Sequence, residues 1–152
     1  MIEDFLILAE ELAGRDGGRP RQASLRRAVA TAYYAVFHAL AKLCADQLIG
    51  ASKPWQVYTP IYRSLDHNAA RKVLREARRT SIFSVEVEAI GFAFLNLYDK
   101  RIEADYVPEP FRYSRQDVKD MIQDARRAIS SIEGLPPETK LALAVQLLTK
   151  AR

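Results

Sequence analysis

Residues 22–48 constrain the fold of this chain more than any other stretch. They contain neither proline nor glycine. Leu25, Val29, Ala32, Val36, Leu40 and Leu43 recur at helical spacing and form one apolar face. Ala28, Ala32, Ala35 and Ala39 add a ridge of small side chains on which another helix can come close. A long helix of this kind must bury its apolar face against other elements. Ile49-Gly-Ala-Ser-Lys-Pro54 ends it.

The remaining segments supply helical partners. Ile2, Phe5, Leu6, Ala9, Leu12 and Ala13 lie on one side of a helix over about 2–13. Residues 55–79 read as a broken helical segment. Tyr58, Ile61, Tyr62 and Leu65 form one face, Pro60 marks a start or kink, and Asp66 caps a new helix using Ala70, Val73, Leu74 and Ala77. Trp55, beside Pro54, reads as a packing anchor. Residues 84–106 carry the stripe Val87, Ile90, Phe94, Tyr98 and stop at Val107-Pro-Glu-Pro110. Ser114 and Asp117 fit a helix N-terminus, followed by Val118, Met121, Ile122, Ala125, Ile129 and Ile132. The last segment, 137–150, is apolar on more than one side: Leu141, Val145 and Leu148, but also Leu143 and Leu147. No strand, repeat or interdomain linker is legible. The expected fold is all-α: one domain over 1–152, an antiparallel up-and-down bundle of four core helices plus short extra ones.

Composition bounds the function classes. Hydrophobic residues at 49% with 28% charged indicate a globular chain rather than a disordered one. A net charge of +4 permits an acidic partner such as RNA without demanding one. The single cysteine, Cys44, excludes an internal disulfide and suits a reducing compartment. The acidic start lacks the basic region of a signal peptide, and no uninterrupted apolar run has the length of a membrane span. A cytoplasmic protein without membrane contact is expected. Two histidines and one cysteine show no metal-ligand spacing, so neither metal nor cofactor is expected. Gly14-Arg-Asp-Gly-Gly-Arg-Pro20 has no following Gly-Lys-Ser/Thr and reads as a helix connection rather than a phosphate loop.

The segment Tyr98-Asp-Lys-Arg101-Ile-Glu-Ala-Asp105-Tyr106 is chemically odd. At 100° per residue, Arg101 and Asp105 fall on the same stripe as Val87, Ile90, Phe94 and Tyr98. An apolar face that turns ionic holds either a structural ion pair or a polar pocket, because an unpaired buried charge is costly. The 22–48 helix carries a second stripe, Arg27, Thr31, Tyr34 and His38, within about 60° of one another. It is a solvated face, a site wall or a dimer interface. Basic residues gather at Arg15, Arg19, Arg21, Arg26 and Arg27 and again at Arg71, Lys72, Arg75, Arg78 and Arg79. Such clusters either track a phosphate backbone or are balanced solvated faces. Arg63-Ser-Leu-Asp-His67 puts an Arg and a His four apart in a helix-cap region.

Ser24-Leu-Arg-Arg-Ala-Val-Ala-Thr-Ala-Tyr-Tyr-Ala-Val-Phe-His38 resembles the second-helix signature of the HEPN (higher eukaryotes and prokaryotes nucleotide-binding) family, closest to its small stand-alone bacterial branch. Arg101-Ile-Glu-Ala-Asp105-Tyr106 is similar to the end of that family's fourth helix. The resemblance covers roughly residues 2–133. It implies a cleft between the 22–48 and 84–106 helices, and a homodimer paired across them. It also implies binding of RNA or a nucleotide and, in several members, a toxin–antitoxin role beside a minimal nucleotidyltransferase. Active members are metal-independent ribonucleases using an Arg and, after a short spacer, a His. Here Arg101 is present and no such His follows; Asp105 and Tyr106 stand there instead. Histidine moves protons best near neutral pH, so a ribonuclease site would have to borrow His38. The resulting expectation is a binding module with a degenerate catalytic motif. Arg101, Asp105 and Tyr106 would face Arg27, Tyr34 and His38. The alternatives are an endoribonuclease with His38 and Arg101 as its catalytic residues, and a structural domain that binds a protein partner.

Overall fold

The computed structural model describes residues 1–50, 52–77 and 84–149. Among them are seven helices and no strand: α1 (Ile2–Gly14), α2 (Gln22–Leu48), α3 (Trp55–Ser64), α4 (His67–Glu76), α5 (Val85–Tyr106), α6 (Arg115–Glu133) and α7 (Pro137–Leu148). The all-α expectation holds. Arg78 and Arg79 of the second basic cluster, and the last residue of the 137–150 segment, lie outside the described residues.

α2 is the axis of the molecule. It packs against α1, α3, α5, α6 and α7. Its buried residues therefore run round the helix rather than along one face: Leu25, Val29, Tyr33, Val36 and Leu40, with alanines between them. The alanines let neighbours approach from several sides, while each fully buried Val or Leu contributes roughly 1.5–3 kcal/mol. By length and composition α2 is apolar enough to cross a membrane, yet 72% of that window is buried inside the fold. Being surrounded by helices accounts for its apolar character.

Contacts along the chain fix the helix directions. Arg26, near the start of α2, reaches the carbonyl of Ala104 near the end of α5, and Tyr33 meets Phe94 further back along α5. α2 and α5 are thus antiparallel. Phe5 of α1 stacks on His38, while the connection at 15–21 joins the end of α1 to the start of α2, so this pair is antiparallel too. α6 begins beside the α1–α2 connection, where Arg115 bonds Arg15 and Asp16. It ends where Ile132 and Glu133 share a hollow with Leu43 and Asp46 of α2. α1, α2, α5 and α6 therefore make an up-and-down bundle, with α3 and α4 inserted between α2 and α5, and α7 closing over α2 and α4.

Local chemistry sets the boundaries. Ser114 accepts from the Asp117 N–H while Asp117 accepts from the Ser114 N–H, the reciprocal box the sequence suggests. The 55–79 segment breaks at Leu65 and Asp66, whose carboxylate caps α4 through the Ala69 N–H at 2.7 Å. Pro60 sits inside α3 rather than at its start. α7 buries Leu143, Ala144 and Leu147 and leaves Leu141 and Val145 exposed, so only one of its two apolar faces is covered. Trp55 departs from expectation. It is 65% exposed, touching Tyr58 edge-on instead of anchoring a core.

Candidate functional site

The end of α5 is held by Arg26, one of a basic cluster expected to be either a phosphate track or a balanced solvated face. Arg26 Nη1 donates to the carbonyls of Glu103, Ala104 and Val107 at 3.2, 2.8 and 2.9 Å, and Nη2 to that of Glu109 at 2.6 Å. Its guanidinium lies over the Phe111 ring. The last turn of a helix has no intrahelical donors for its carbonyls, so one planar cation satisfies them and ties down the chain beyond. This fixes the turn on which Arg101, Asp105 and Tyr106 stand. Arg115 does the same for the glycine-containing connection, donating from Nη2 to the carbonyls of Arg15, Asp16 and Gly18. That loop turns carbonyls toward a cation, the reverse of a phosphate loop.

Arg101 is treated differently. Its side chain is 11% exposed, and it meets no carbonyl among the described contacts. Nη2 donates to the Tyr34 hydroxyl at 3.1 Å. The rings of Tyr33, Tyr34 and Tyr106 lie 5.3, 5.4 and 5.8 Å from its guanidinium carbon, within cation–π range. Asp105 Oδ2 approaches Nε at 3.3 Å, yet the Nε–H is buried and makes no hydrogen bond. The pair is therefore a charge contact without an aligned bond, and the guanidinium keeps donor capacity that Arg26 has used.

α4 brings a histidine to this cluster. His67, the first residue of α4, stacks on Phe37 at 4.0 Å and shares a 2.7 Å hydrogen bond between Nδ1 and the Tyr33 hydroxyl. Tyr33 is fully buried, and burial holds its phenol well above the usual range, so it stays a neutral O–H. The bond can form with Nδ1 accepting the Tyr33 proton, and in that tautomer the neutral imidazole carries its own on Nε2. Burial lowers the His67 pKa, and the nearby Arg101 charge lowers it further. One turn along α4, the Arg71 guanidinium lies over the Tyr98 ring at 5.1 Å, with its own Nε buried and unbonded.

Of the residues chosen from sequence, the structure joins Arg101, Asp105, Tyr34 and Tyr106. His38 is not with them. It stacks on Phe5 and bonds Tyr62 through Nδ1 at 2.7 Å, between α1 and α3. The place beside Arg101 expected for His38 is taken by His67. Arg27 is exposed and forms no ion pair among the described residues. Thr31, Tyr34 and His38 are largely covered, so beyond Arg27 the second stripe of α2 is a packed polar seam, not a solvated face. Among the described residues no group of three His, Cys, Asp or Glu is placed to hold a metal. Tyr33 was missed because it reads as core, and nothing in a sequence tells a buried hydroxyl with a partner from one without. His67 and Arg71 had a signal, their four-residue spacing on a capped helix. No family model matches the chain, and no curated protein or solved structure matches it either.

The two histidines predict an acid-sensitive fold. Both have their pKa lowered from 6.5, with burial the first cause. As pH falls, the unfolded chain takes up these protons before the folded one does. Their contribution to stability is therefore complete above about pH 6.5 and is lost as pH falls below it. Thermal melts should show Tm dropping over the interval just below about pH 6.5, with a shallower drop in His67→Gln. A Tm that is flat or rises on acidification over that interval contradicts the assignment.

Proposed function

We propose that this chain is a HEPN-like helical module that recognises phosphate in RNA or a nucleotide, with Arg101 as its anion-binding group. The observation that carries this reading is the contrast among arginines. Arg26 and Arg115 are engaged by main-chain carbonyls. Arg101 is held by rings, one hydroxyl and a misaligned carboxylate. A guanidinium placed in this way can fork onto a phosphate. Tyr34 and Tyr106 add hydroxyls, and His67 and Arg71 supply further donors from α4. In the same reading the module works in the cytoplasm as a homodimer paired across α2 and α5. Its protein partner is a minimal nucleotidyltransferase, in a toxin–antitoxin type of system.

A second reading, metal-independent RNA cleavage, is favoured by one feature: a neutral histidine, His67, stands where Arg101 acts on it electrostatically. Proton transfer would then fall to His67 rather than His38.

One set of measurements tests both. Binding of labelled single-stranded RNA should weaken with rising salt, and Arg101→Ala should weaken it about tenfold further, as loss of a charge-assisted contact does. If Arg101→Ala leaves affinity unchanged and only lowers Tm, the pair with Asp105 is structural and the binding reading fails. Cleavage in EDTA that disappears in His67→Ala and persists in His38→Ala would establish the second reading. Intact RNA would remove it.

A further inference from the structure

Away from Arg101, an open hollow of about 540 Å3 lies between the start of α1, the far half of α2, and α3. That volume falls in the range of small-molecule sites. Trp55, Tyr58 and Tyr62 line it. Two of these rings are fixed from behind. Tyr58 donates its hydroxyl to Asp46 at 2.7 Å, and Asp46 is in turn paired with Lys42 at 2.7 Å. The Tyr62 hydroxyl shares a 2.7 Å hydrogen bond with His38 Nδ1, and burial pushes its phenol up to about 12. Both hydroxyls are thus engaged within the protein, and the two residues offer the hollow ring surface. Trp55 lies at 85° to Tyr58 rather than stacked on it, and is 65% exposed, so much of its indole surface is open.

The charges around the hollow are unequally committed. Glu3 is paired with Arg126, and Lys42 with Asp46. Glu133 and Lys53 form no ion pair among the described residues. Of these two, Lys53 is the one at the rings: its ammonium lies over Tyr58 at 5.5 Å. Lys53 adopts a φ of +48°, a conformation costly for a residue with a Cβ. The chain accepts that cost where it sets a cation beside an aromatic wall.

We propose that this hollow binds a flat aromatic molecule carrying one anionic group, its ring stacked on Trp55 and its anion on Lys53. The site is independent of Arg101. Trp55 is the chain's only tryptophan, so a single indole N–H resonance reports on it. Titrating the full chain with 2-naphthoate should move that resonance saturably. The dissociation constant should be about tenfold weaker for 2-naphthamide and for Lys53→Glu, and unchanged in Arg101→Ala. Calorimetry should show the heat of binding lost in Trp55→Ala, with circular dichroism unchanged. An indole resonance that stays still into the millimolar range overturns the proposal. So does equal binding of the uncharged amide, or heat that survives in Trp55→Ala.

Discussion

Replacing Arg26 by alanine should be among the most destabilising single changes in this protein, costing about 2–4 kcal/mol. Four main-chain carbonyls lose the Arg26 donor at once, and of these Glu103 keeps the Val107 N–H. Each hydrogen bond to a charged group is worth roughly 1.5–3 kcal/mol, but the four do not add, and water can reach the outermost carbonyl. In a chain of this length a loss of that size lowers Tm by roughly 5–15 °C. Arg26→Lys should recover only part of it, because an ammonium cannot span acceptors lying on both sides of the helix end. The effect should extend to the candidate site. Arg101 and Asp105 stand on the turn that Arg26 closes, so the Ala variant should also bind RNA more weakly at temperatures where it remains folded. A Tm within a degree or so of the parent would show that the end of α5 holds without its clamp.

The second large effect concerns Gly91, where α4 and α5 cross. A Cβ at Gly91 would lie 3.0 Å from the main-chain oxygen of Leu74 and 3.5 Å from its Cβ. The close atom belongs to helical backbone, which cannot swing aside as a side chain can. Alanine is better than glycine inside a helix by up to about 1 kcal/mol, so this site pits propensity against space. Overpacking typically costs about 1–3 kcal/mol, and space should win. Gly91→Ala should lower stability by about 1–2 kcal/mol, and Gly91→Val, with two more methyls, by more than about 3 kcal/mol. Equilibrium denaturation with a two-state fit measures both. Because α4 carries His67 and Arg71, pushing it away from α5 should also shift the Tyr33 and Tyr98 resonances. A stabilised Gly91→Ala would mean that the two helices part without penalty.

Both predictions rest on residues whose role the periodicity of the chain does not disclose. Arg26 belongs to a run of basic residues that reads equally as a solvated face or a phosphate track. Only when α5 folds back antiparallel to α2 do four carbonyls arrive around its guanidinium. Gly91 sits in an apolar stretch with no turn signal. Its lack of a side chain acquires meaning only when α4 crosses there. His67 is the same kind of case. From the sequence it is a histidine beside a cap. In the fold it shares a hydrogen bond with Tyr33, a residue of a different helix.

Local chemistry determined what could be decided locally. Apolar spacing, caps and breakers set the positions of the helices, because a helix forms from contacts within a few residues and hides one stripe from water. The same spacing exposed Arg101 and Asp105 as charges on an apolar stripe; that Tyr34 and Tyr106 would neighbour them was implied only by the family resemblance. The tertiary structure alone decided which helices meet. A guanidinium or imidazole has no fixed partner until packing brings one within about 3 Å, and those partners come from distant parts of the chain. For that reason His38 lies with Tyr62 and Phe5 while His67 stands near Arg101, and for that reason Trp55 faces solvent beside Lys53.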